Sequence, residues 1–255
     1  MPNNFAGDPN VKALWRFESG ALTTDSCTWN SARNTLAGLG PDESQDFIEG
    51  NCAADFEKDA GDHFHITDAN LCTDFPLKNG DATKTISLTV WVKPEGFPTD
   101  HCTIIRKSDE TGNKRSFWLY ATDNGSLMFG LGHTGGTASE IIDTTIDLVA
   151  NQWQHIGFTY DDTDKFWYCK RFNDYTDLSA EGSGNATNNI NVEDARLVIG
   201  CSYDDDSFQG YCWDGIMDEF VVFNDILTEP EIDQIRNKTY GAQDTLAAFT
   251  VSFLQ

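Results

Sequence analysis

Residues 195–235 read ARLVIGCSYDDDSFQGYCWDGIMDEFVVFNDILTEPEIDQI and are the most informative part of the chain for its fold. The order of residue types indicates a strand, an acidic loop, a second strand and a short helical turn. Thr228 and Glu231 have the spacing of a capping box, and Pro230 falls early in the predicted helix, where its missing N–H costs little. This stretch therefore predicts a buried strand that leads directly into a short helix.

The second of these strands carries an Asp-Glu pair among apolar residues. Strict alternation places Ile216, Phe220 and Val222 on one face, and Asp218 falls on the same inward face. A buried carboxylate needs a cation or several hydrogen-bond donors, because burying it without a partner is costly. The position of Asp218 thus suggests a metal-braced sheet.

Short apolar segments separated by Gly, Asn and Asp turns continue along the chain. Residues 85–93, TISLTVWVK, predict a strand with alternating faces, and Asp123-Asn124-Gly125 predicts a hairpin turn between residues 116–122 and 126–131. Residues 53–59 and 63–67 are interpreted as another hairpin. The pattern predicts an all-β, two-sheet antiparallel sandwich of jelly-roll type, with one short helix near the C-terminus after Thr228.

Composition excludes several classes of partner. The chain has 255 residues and a formal net charge of −24, which argues against nucleic-acid backbones and anionic membrane surfaces. No apolar run is long enough for membrane insertion. We see no linker or repeat, so one large domain is expected. The N-terminal residues lack the basic-then-apolar order of a signal peptide, so the chain is expected to be cytoplasmic at birth or a mature form.

Seven cysteines are many for a cytoplasmic protein, and an odd number cannot all pair. None forms a C-x-x-C motif, so a structural zinc site is not indicated. Cys201 and Cys212 flank one loop and could face each other across neighbouring strands. Buried cysteines that remain thiols explain the pattern equally well.

Several segments together resemble a known family. They are LWRFESGALTTDSCTWNSARNTL (14–36), ADFEKDAGDHFHITDA (54–69), SLTVWVKP (87–94), residues 104–131, NQWQHIGFTYD (151–161), LVIG (197–200) and GIMDEFVVFNDILTEPEI (215–232). In order and spacing they resemble the laminin-G-like branch of the concanavalin A-like lectin/glucanase superfamily, from about Leu14 to Tyr240. The resemblance implies a jelly-roll domain over residues 1–241.

The same resemblance implies a structural calcium ion. In the family a calcium ion commonly ties the opening loop to the strand with the Asp-Glu pair, which here implies Asp25 and Asp218 as ligands, with Asn30 as a third. Oxygen ligands from distant segments suit Ca²⁺, which takes six to eight of them. The alternative is that Asp25 caps a turn and Asp218 meets backbone donors or a basic group.

A second candidate site is an acidic loop flanked by aromatic residues. Asp204, Asp205 and Asp206 lie between Tyr203 and Phe208, with Tyr211 and Trp213 beyond them. Carboxylates and ring faces on one loop could bind calcium and a glycan, although the Gly and terminal Glu of an EF-hand loop are missing. In so acidic a chain, three consecutive Asp residues are more often a solvated loop.

Two histidines two residues apart, His63 and His65, share a strand face and could hold a metal. No third ligand is evident nearby, so turn-bonded or solvent-facing rings are favoured.

No catalytic motif is evident. Related glucanases array carboxylates along one strand, as Glu-x-Asp-x-x-Glu or Glu-x-Asp-x-Glu. The nearest match, Glu231-Ile232-Asp233, lacks the second Glu and falls in the predicted helix. No Ser or Cys nucleophile has a recognisable elbow or paired His. We therefore expect a protein that is not an enzyme.

Two hypotheses of function follow. The first is a virion-associated protein of the capsid decoration, head-fibre or tail type that can also bind host-surface glycans. The opening resembles stand-alone phage and prophage members of the family, and such proteins reach the extracellular space by lysis. The second is a calcium-dependent carbohydrate-binding module or lectin not tied to a virion. Residues 242–255, AQDTLAAFTVSFLQ, are apolar and are predicted to be either a last strand or an assembly tail that contacts another copy or capsid and tail proteins.

Overall fold

The computed structural model describes residues 3–27, 34–38, 40–98, 101–109, 112–204 and 207–241. Two antiparallel sheets pack face to face, so the predicted all-β sandwich is confirmed. The larger sheet contains β1 (Val11–Trp15), β2 (Asp42–Ser44), β3 (Ala53–Phe56), β5 (Thr85–Pro94), β10 (Gln154–Asp161), β11 (Phe166–Asn173), β12 (Leu178–Asn185) and β16 (Gly215–Phe223).

The smaller sheet has six strands, and a two-stranded hairpin rises beside it. The six are β4 (Phe64–Ile66), β6 (Cys102–Asp109), β7 (Lys114–Ala121), β8 (Ser126–His133), β9 (Ala138–Asp147) and β13 (Leu197–Ile199). The hairpin is β14 (Ser202–Asp204) and β15 (Ser207–Gly210), and a 3-10 turn covers Asp68–Asn70.

The strand order is not sequential. In the larger sheet it is β12-β11-β10-β5-β16-β3-β2, with β1 also paired to β16, and in the smaller sheet it is β4-β13-β6-β7-β8-β9. Central strands are therefore contributed by distant parts of the chain. The consecutive strands β6 to β9 form a meander, whose outer face carries the candidate site described below.

The predicted hairpin of residues 53–67 is wrong in one respect. β3 pairs with β16 and β2 in the larger sheet, whereas β4 pairs with β13 in the smaller one. The turn at Gly61 therefore passes from one sheet to the other. Turn residues between two alternating segments look the same in both cases, because the sequence does not specify which partner each strand finds.

A β-bulge in β16 changes the faces predicted from strict alternation. The register of β16 with β5 shifts between Asp218 and Val221, and Glu219 has a positive φ of 48°. Met217, Phe220 and Val222 consequently face the core between the sheets. Asp218 is fully buried, as predicted, but it lies opposite Trp91, which does not belong to that core, so the predicted face of β16 is wrong for this residue. The extra residue of a bulge shifts all later residues by one position.

The outer face of the larger sheet is covered by a second, smaller apolar cluster. Helix α1 (Glu229–Arg236) packs Ile232 and Ile235 there with Leu14 and Phe223. The predicted capping box between Thr228 and Glu231 is confirmed. This cluster covers the larger sheet at β1 and β16, whereas the edge strand β12 of the same sheet remains exposed.

Within the described residues, no helix has both the length and the apolar character that crossing a bilayer would require.

Candidate functional site

Four residues form a straight row across the outer face of the smaller sheet. Arg106 of β6 is the direct partner of Trp118 of β7, Trp118 of Gly130 of β8, and Gly130 of Ile141 of β9. Directly paired residues point to the same side of a sheet. The row therefore places a cation, an aromatic ring and an exposed aliphatic side chain side by side.

The indole of Trp118 lies flat over Gly130. A Cβ built on Gly130 would overlap the Cε2, Nε1 and Cζ2 atoms of the ring, so the indole occupies the space that a side chain at residue 130 would take. Trp118 itself is only partly buried. The sequence thus builds an aromatic platform parallel to the sheet, because a glycine stands where most strands carry a larger residue.

The platform lies in a pocket of about 300 Å³, which we call the β6–β9 pocket. Its lining combines aromatic rings, hydroxyl groups, one guanidinium and one exposed aliphatic side chain. The lining residues are His101, Thr103, Arg106, Trp118, Tyr120, Ser139, Ile141, Ser202 and Tyr211. An apolar floor with a few convergent polar groups is typical of small-ligand sites.

One wall of the pocket comes from the hairpin β14–β15. A disulfide joins Cys201 to Cys212, one residue outside the lining residues Ser202 and Tyr211. Of the two alternatives that the sequence left open for these cysteines, the structure shows the one in which they face each other. Thr103 N donates to Tyr211 O at 3.1 Å, which fixes this wall against β6. The wall is thus held both covalently and by the backbone.

Three rings close the same end. The His101 ring lies 4.4 Å from the centroid of Tyr120 and 5.1 Å from that of Tyr211, the second contact being edge-on. Tyr211 is 45% exposed and has a positive φ of 57°. Burial raises the pKa of the Tyr120 hydroxyl, so this group remains a neutral donor at ordinary pH.

The polar groups of the pocket are positioned by their neighbours. Arg106 is 6% exposed, and its Nη1 donates to Ser202 Oγ. Thr103 is 4% exposed and Ser202 is 2% exposed. No Asp or Glu is among the lining residues in the described part of the chain. The pocket offers hydrogen-bond donors and an aromatic face, the two features that recognise polar ligands with apolar faces.

The second predicted site overlaps this pocket in part. Tyr211 lines it, as predicted for a ligand-binding residue. Trp213 is fully buried in the core, so its prediction as a sugar-stacking ring is wrong. Strand alternation would place residues 211 and 213 on one face, but this segment is not a strand and Tyr211 has a positive φ. Asp205 and Asp206 lie outside the described residues, and so do the side chains of Tyr203 and Asp204, although the backbone of these last two lies in β14.

Asp25 already has a full set of donors. Its Oδ1 accepts from the backbone N–H of Leu14 and Cys27 at 3.0 and 2.9 Å, and its Oδ2 accepts from the N and Nδ2 of Asn34 at 2.9 and 3.1 Å. A carboxylate offers about four lone-pair positions, and all four are used. As placed, Asp25 does not fit the role of a calcium ligand.

Asp218 is also held by backbone donors. Ile48 N and Glu49 N donate to its Oδ2 at 2.8 and 3.1 Å, and Glu219 N donates to its Oδ1 at 2.8 Å. Among the described residues, no group of three or more His, Cys, Asp or Glu could hold a metal. Asn30 lies outside those residues, so the calcium site of Asp25, Asn30 and Asp218 stays a prediction.

His63 and His65 stack with ring centroids 5.4 Å apart, and His63 Nδ1 lies 2.9 Å from Gly61 O. This arrangement matches the turn-bonded alternative that the sequence favoured.

A second, larger cleft of about 570 Å³ opens elsewhere, at Arg16, Glu49 and Lys238. Arg16 Nη1 lies 2.9 Å from Glu219 Oε1 and 3.4 Å from Glu49 Oε2, and Lys238 Nζ lies 4.0 Å from Glu49 Oε1. Burial raises the pKa of Asp218 to about 7 and that of Glu219 to about 8. Because the acidic and basic groups of this Arg16 cluster bond to one another, we do not take the cleft as the ligand site.

Sequence reasoning missed the row of Arg106, Trp118, Gly130 and Ile141. The available signal was a Trp and a Gly at outward positions of neighbouring strands, SFWLYA and SLMFGL, where polar residues are usual. Correct pairing of the strands was needed to bring them together.

The sequence and the fold of this chain are similar to those of known proteins. Residues 60–233 match the Laminin_G_3 family, described as concanavalin A-like lectin/glucanases superfamily. The chain belongs to the concanavalin A-like lectin/glucanase superfamily. A search of curated proteins with this chain finds no match.

Several solved structures share the superfamily fold. The botulinum neurotoxin serotype C1 binding domain aligns with a TM-score of 0.62 and 13% identity, covering 92% of this chain and 53% of that one. The binding domain of botulinum neurotoxin DC in complex with SialylT gives 0.59 and 11%, covering 91% and 52%. This lectin-like chain therefore spans about half the length of each of these domains.

A third likeness is shorter. The Ruminococcus gnavus IT-sialidase CBM40 bound to alpha2,3 sialyllactose gives a TM-score of 0.47 and 17% identity, covering 59% of this chain and 81% of that one. At these identities, the solved structures show the superfamily fold alone.

Proposed function

We propose that this protein is a non-enzymatic glycan-binding protein and that the β6–β9 pocket is its binding site. The observation that carries the proposal is the indole of Trp118 lying flat over Gly130 on the floor of the pocket. A pyranose ring has an apolar face of C–H groups and an equatorial rim of hydroxyls. The first suits an aromatic plane, and the second suits the hydroxyl, imidazole and guanidinium groups around it.

The chemistry of the pocket supports binding without hydrolysis. Glycosidases of the common types need two carboxyl groups that flank the scissile bond. None of the nine lining residues within the described chain carries one. Two of the fold neighbours named above are described as complexes with SialylT and with sialyllactose, which is compatible with a glycan ligand here.

A glycan array with the full chain tests the proposal, followed by titration calorimetry on the best ligand. We expect Trp118→Ala to weaken binding by about tenfold or more, which corresponds to about 1.4 kcal/mol. Tyr175→Ala is the matched control, because Tyr175 is 81% exposed and lies beyond β11 in the other sheet. Absence of any bound glycan, or an equal effect of both substitutions, would contradict the proposal.

A narrower form of the proposal keeps the virion hypothesis, in which the protein decorates a capsid, head fibre or tail and acts outside the cell after lysis. The apolar and charge-poor composition of residues 242–255 supports an assembly role for them. These residues lie outside the described part of the chain. Light scattering on the full chain and on a chain that ends at Gly241 tests this form.

A multimer that becomes monomeric on shortening supports assembly through residues 242–255. Two monomers of equal stability, one of them binding a glycan, support the alternative of a carbohydrate-binding module not tied to a virion. The same samples with calcium and with chelator test whether binding depends on calcium.

A further inference from the structure

The β6–β9 pocket is closed on its β6 side. Arg106 Nη1 donates to Ser202 Oγ, and the two residues are only 6% and 2% exposed. The disulfide between Cys201 and Cys212 anchors the hairpin to which Ser202 belongs. A ring that enters the pocket therefore meets, on this side, a wall that both a side-chain hydrogen bond and a covalent bond hold in place.

Aromatic rings extend this wall around one corner of the pocket. The His101 ring contacts both Tyr120 and Tyr211. Tyr120 is 4% exposed, whereas Tyr211 stands at the rim and keeps 45% of its surface exposed. Thr103 N donates to Tyr211 O, so the backbone that carries this rim residue is fixed to β6. Two adjoining sides of the pocket are thus closed by described residues.

The β9 side of the pocket is open. Exposure rises along the row, from Arg106 at 6% through the partly buried Trp118 to Ile141 at 47%. Ser139 of the same strand is exposed as well. β9 is the last strand in the order of the smaller sheet. The indole floor therefore has a wall at one end and an exposed sheet edge at the other.

The size of the pocket suits a short ligand. Its volume of about 300 Å³ lies at the low end of the range of about 300–1,000 Å³ that is typical of small-ligand sites. A glycan chain that crossed the floor would need an exit at both ends, whereas the end of a chain needs only one. In a glycan joined to a carrier, the ends that remain free are the non-reducing ones.

We infer that the β6–β9 pocket recognises the non-reducing terminal residue of a glycan and that the rest of the chain leaves over β9. The terminal ring lies on Trp118, with its outer edge against Ser202 and Tyr211. This inference rests on the proposed function and narrows it from glycans in general to chain ends. A sugar added beyond the terminal residue collides with the wall, whereas sugars added toward the carrier pass over Ile141.

A glycan array with the full chain tests the inference. It compares each oligosaccharide in three forms: bare, lengthened toward the carrier, and capped at its non-reducing end by a different sugar. One such set is N-acetyllactosamine, lacto-N-neotetraose and 3′-sialyl-N-acetyllactosamine. We expect the bound glycans to share their terminal residue, to keep their signal when lengthened and to lose it when capped. Calorimetry on the best set should give bare and lengthened forms within about threefold of each other, and a capped form weaker by about tenfold or more.

Two substitutions of similarly exposed side chains locate the wall. Tyr211 and Ile141 are 45% and 47% exposed and line opposite sides of the pocket. Tyr211→Gly removes the rim ring and suits the positive φ at this residue, so it should let capped glycans bind. We expect the ratio of bare to capped affinity to fall to about threefold or less. Ile141→Ala, at the open side, should leave that ratio unchanged, and melting temperatures show that both variants fold.

Each outcome has a separate meaning. Equal binding of bare and capped forms overturns the inference and leaves glycan binding intact, because the pocket then accepts internal residues. A tenfold gain on lengthening also overturns it, since the site would then follow the chain. So does an unchanged ratio in a folded Tyr211→Gly. If that variant does not fold, the three forms of each glycan still decide the question with the unaltered chain. Absence of any bound glycan overturns the proposed function itself.

Discussion

Ile232 of α1 lies directly against Gly157 of β10, with its Cγ2 atom 2.5 Å from the place where a Cβ of residue 157 would stand. The helix therefore approaches the sheet more closely than any other residue at position 157 would allow. Lys170 of β11 adds ion pairs to Glu229 and Asp233 of the same helix, at 2.8 and 2.9 Å. A glycine and a buried cation together hold α1 against the larger sheet.

Gly157→Val should destabilise the fold by about 2 kcal/mol, because the added side chain must displace Ile232 from a packed cluster. Urea unfolding followed by fluorescence measures the change. Gly96→Val is the control, since a Cβ at residue 96 meets nothing within 4 Å. Equal midpoints for the two variants would show that the close packing of α1 on β10 is not needed.

The platform offers a similar test that concerns binding rather than stability. Gly130→Ala should weaken glycan binding about as much as Trp118→Ala does, because the new methyl group takes the space of the indole. Near-ultraviolet circular dichroism reports the displaced ring. Gly40→Ala, where a Cβ meets nothing within 4 Å, is the control. Unchanged affinity in Gly130→Ala would rule out the flat indole as the binding surface.

His155 should make the protein sensitive to acid. Burial next to Arg236 and Lys170 lowers the pKa of His155 to about 3, whereas an unfolded chain takes up this proton near pH 6.5. Between these values the unfolded state binds more protons, so stability falls as the pH falls, by about 1.4 kcal/mol per unit.

His155→Phe should remove this contribution, because phenylalanine takes up no proton. The variant should still fold, since the ring Nε2 has no hydrogen-bond partner among the described residues. Urea unfolding from pH 7 to pH 4.5 should therefore show wild type losing about 2 to 3 kcal/mol more than the variant. Parallel curves for the two proteins would contradict the prediction.

The carboxyl groups of the Arg16 cluster should give a pH dependence of stability opposite to that of His155. Burial raises the pKa of Glu219 to about 8 and that of Asp218 to about 7, so the folded state keeps protons that the unfolded state has released above about pH 4.5. Stability then falls as the pH rises from about 4.5 to 8. Glu219→Gln should flatten this decline, and the quantity to compare is the difference in unfolding free energy between pH 6 and pH 8.5. An equally steep decline in the variant would show that Glu219 does not hold a proton.

The calcium hypothesis and the hydrogen bonds of Asp25 predict different effects of chelator on the melting temperature. Because all four acceptor positions of Asp25 are used, we expect chelator to leave the melting temperature unchanged, while Asp25→Asn destabilises by about 2 kcal/mol or more through lost hydrogen bonds. Asp123→Asn, at an exposed turn, is the control. A fall in melting temperature with chelator would establish a metal site.

The architecture could be predicted from the sequence because the central strands show a clear alternation of apolar and polar residues. Residues 85–93 alternate as predicted, with Ile86, Leu88, Val90 and Val92 in the core, and the turn at Asn124-Gly125 joins β7 to β8. The edge strands β9 and β12 were missed. Their residues are largely polar or small on both faces, so the ladder hydrogen bonds rather than apolar burial define them.

The site was harder to predict for two physical reasons. The bulge at Glu219 moved Asp218 to the other face of β16, and no local pattern signals one extra residue. The row through Trp118 depends on the register of four strands, which tertiary pairing decides. Tyr211 was predicted as an aromatic residue beyond the acidic loop, and the disulfide at Cys212 holds it beside β6.

The hairpin between Cys201 and Cys212 is anchored at its base, and its strands β14 and β15 pair with each other outside the two main sheets. Its residues can therefore be exchanged without altering the ladders of the sandwich. Such a segment behaves as a cassette: substitutions at Tyr211, at the base of the hairpin, would vary one wall of the pocket while the scaffold stays constant. The architecture thus separates what the protein must keep in order to fold from what it can change in order to recognise a new ligand.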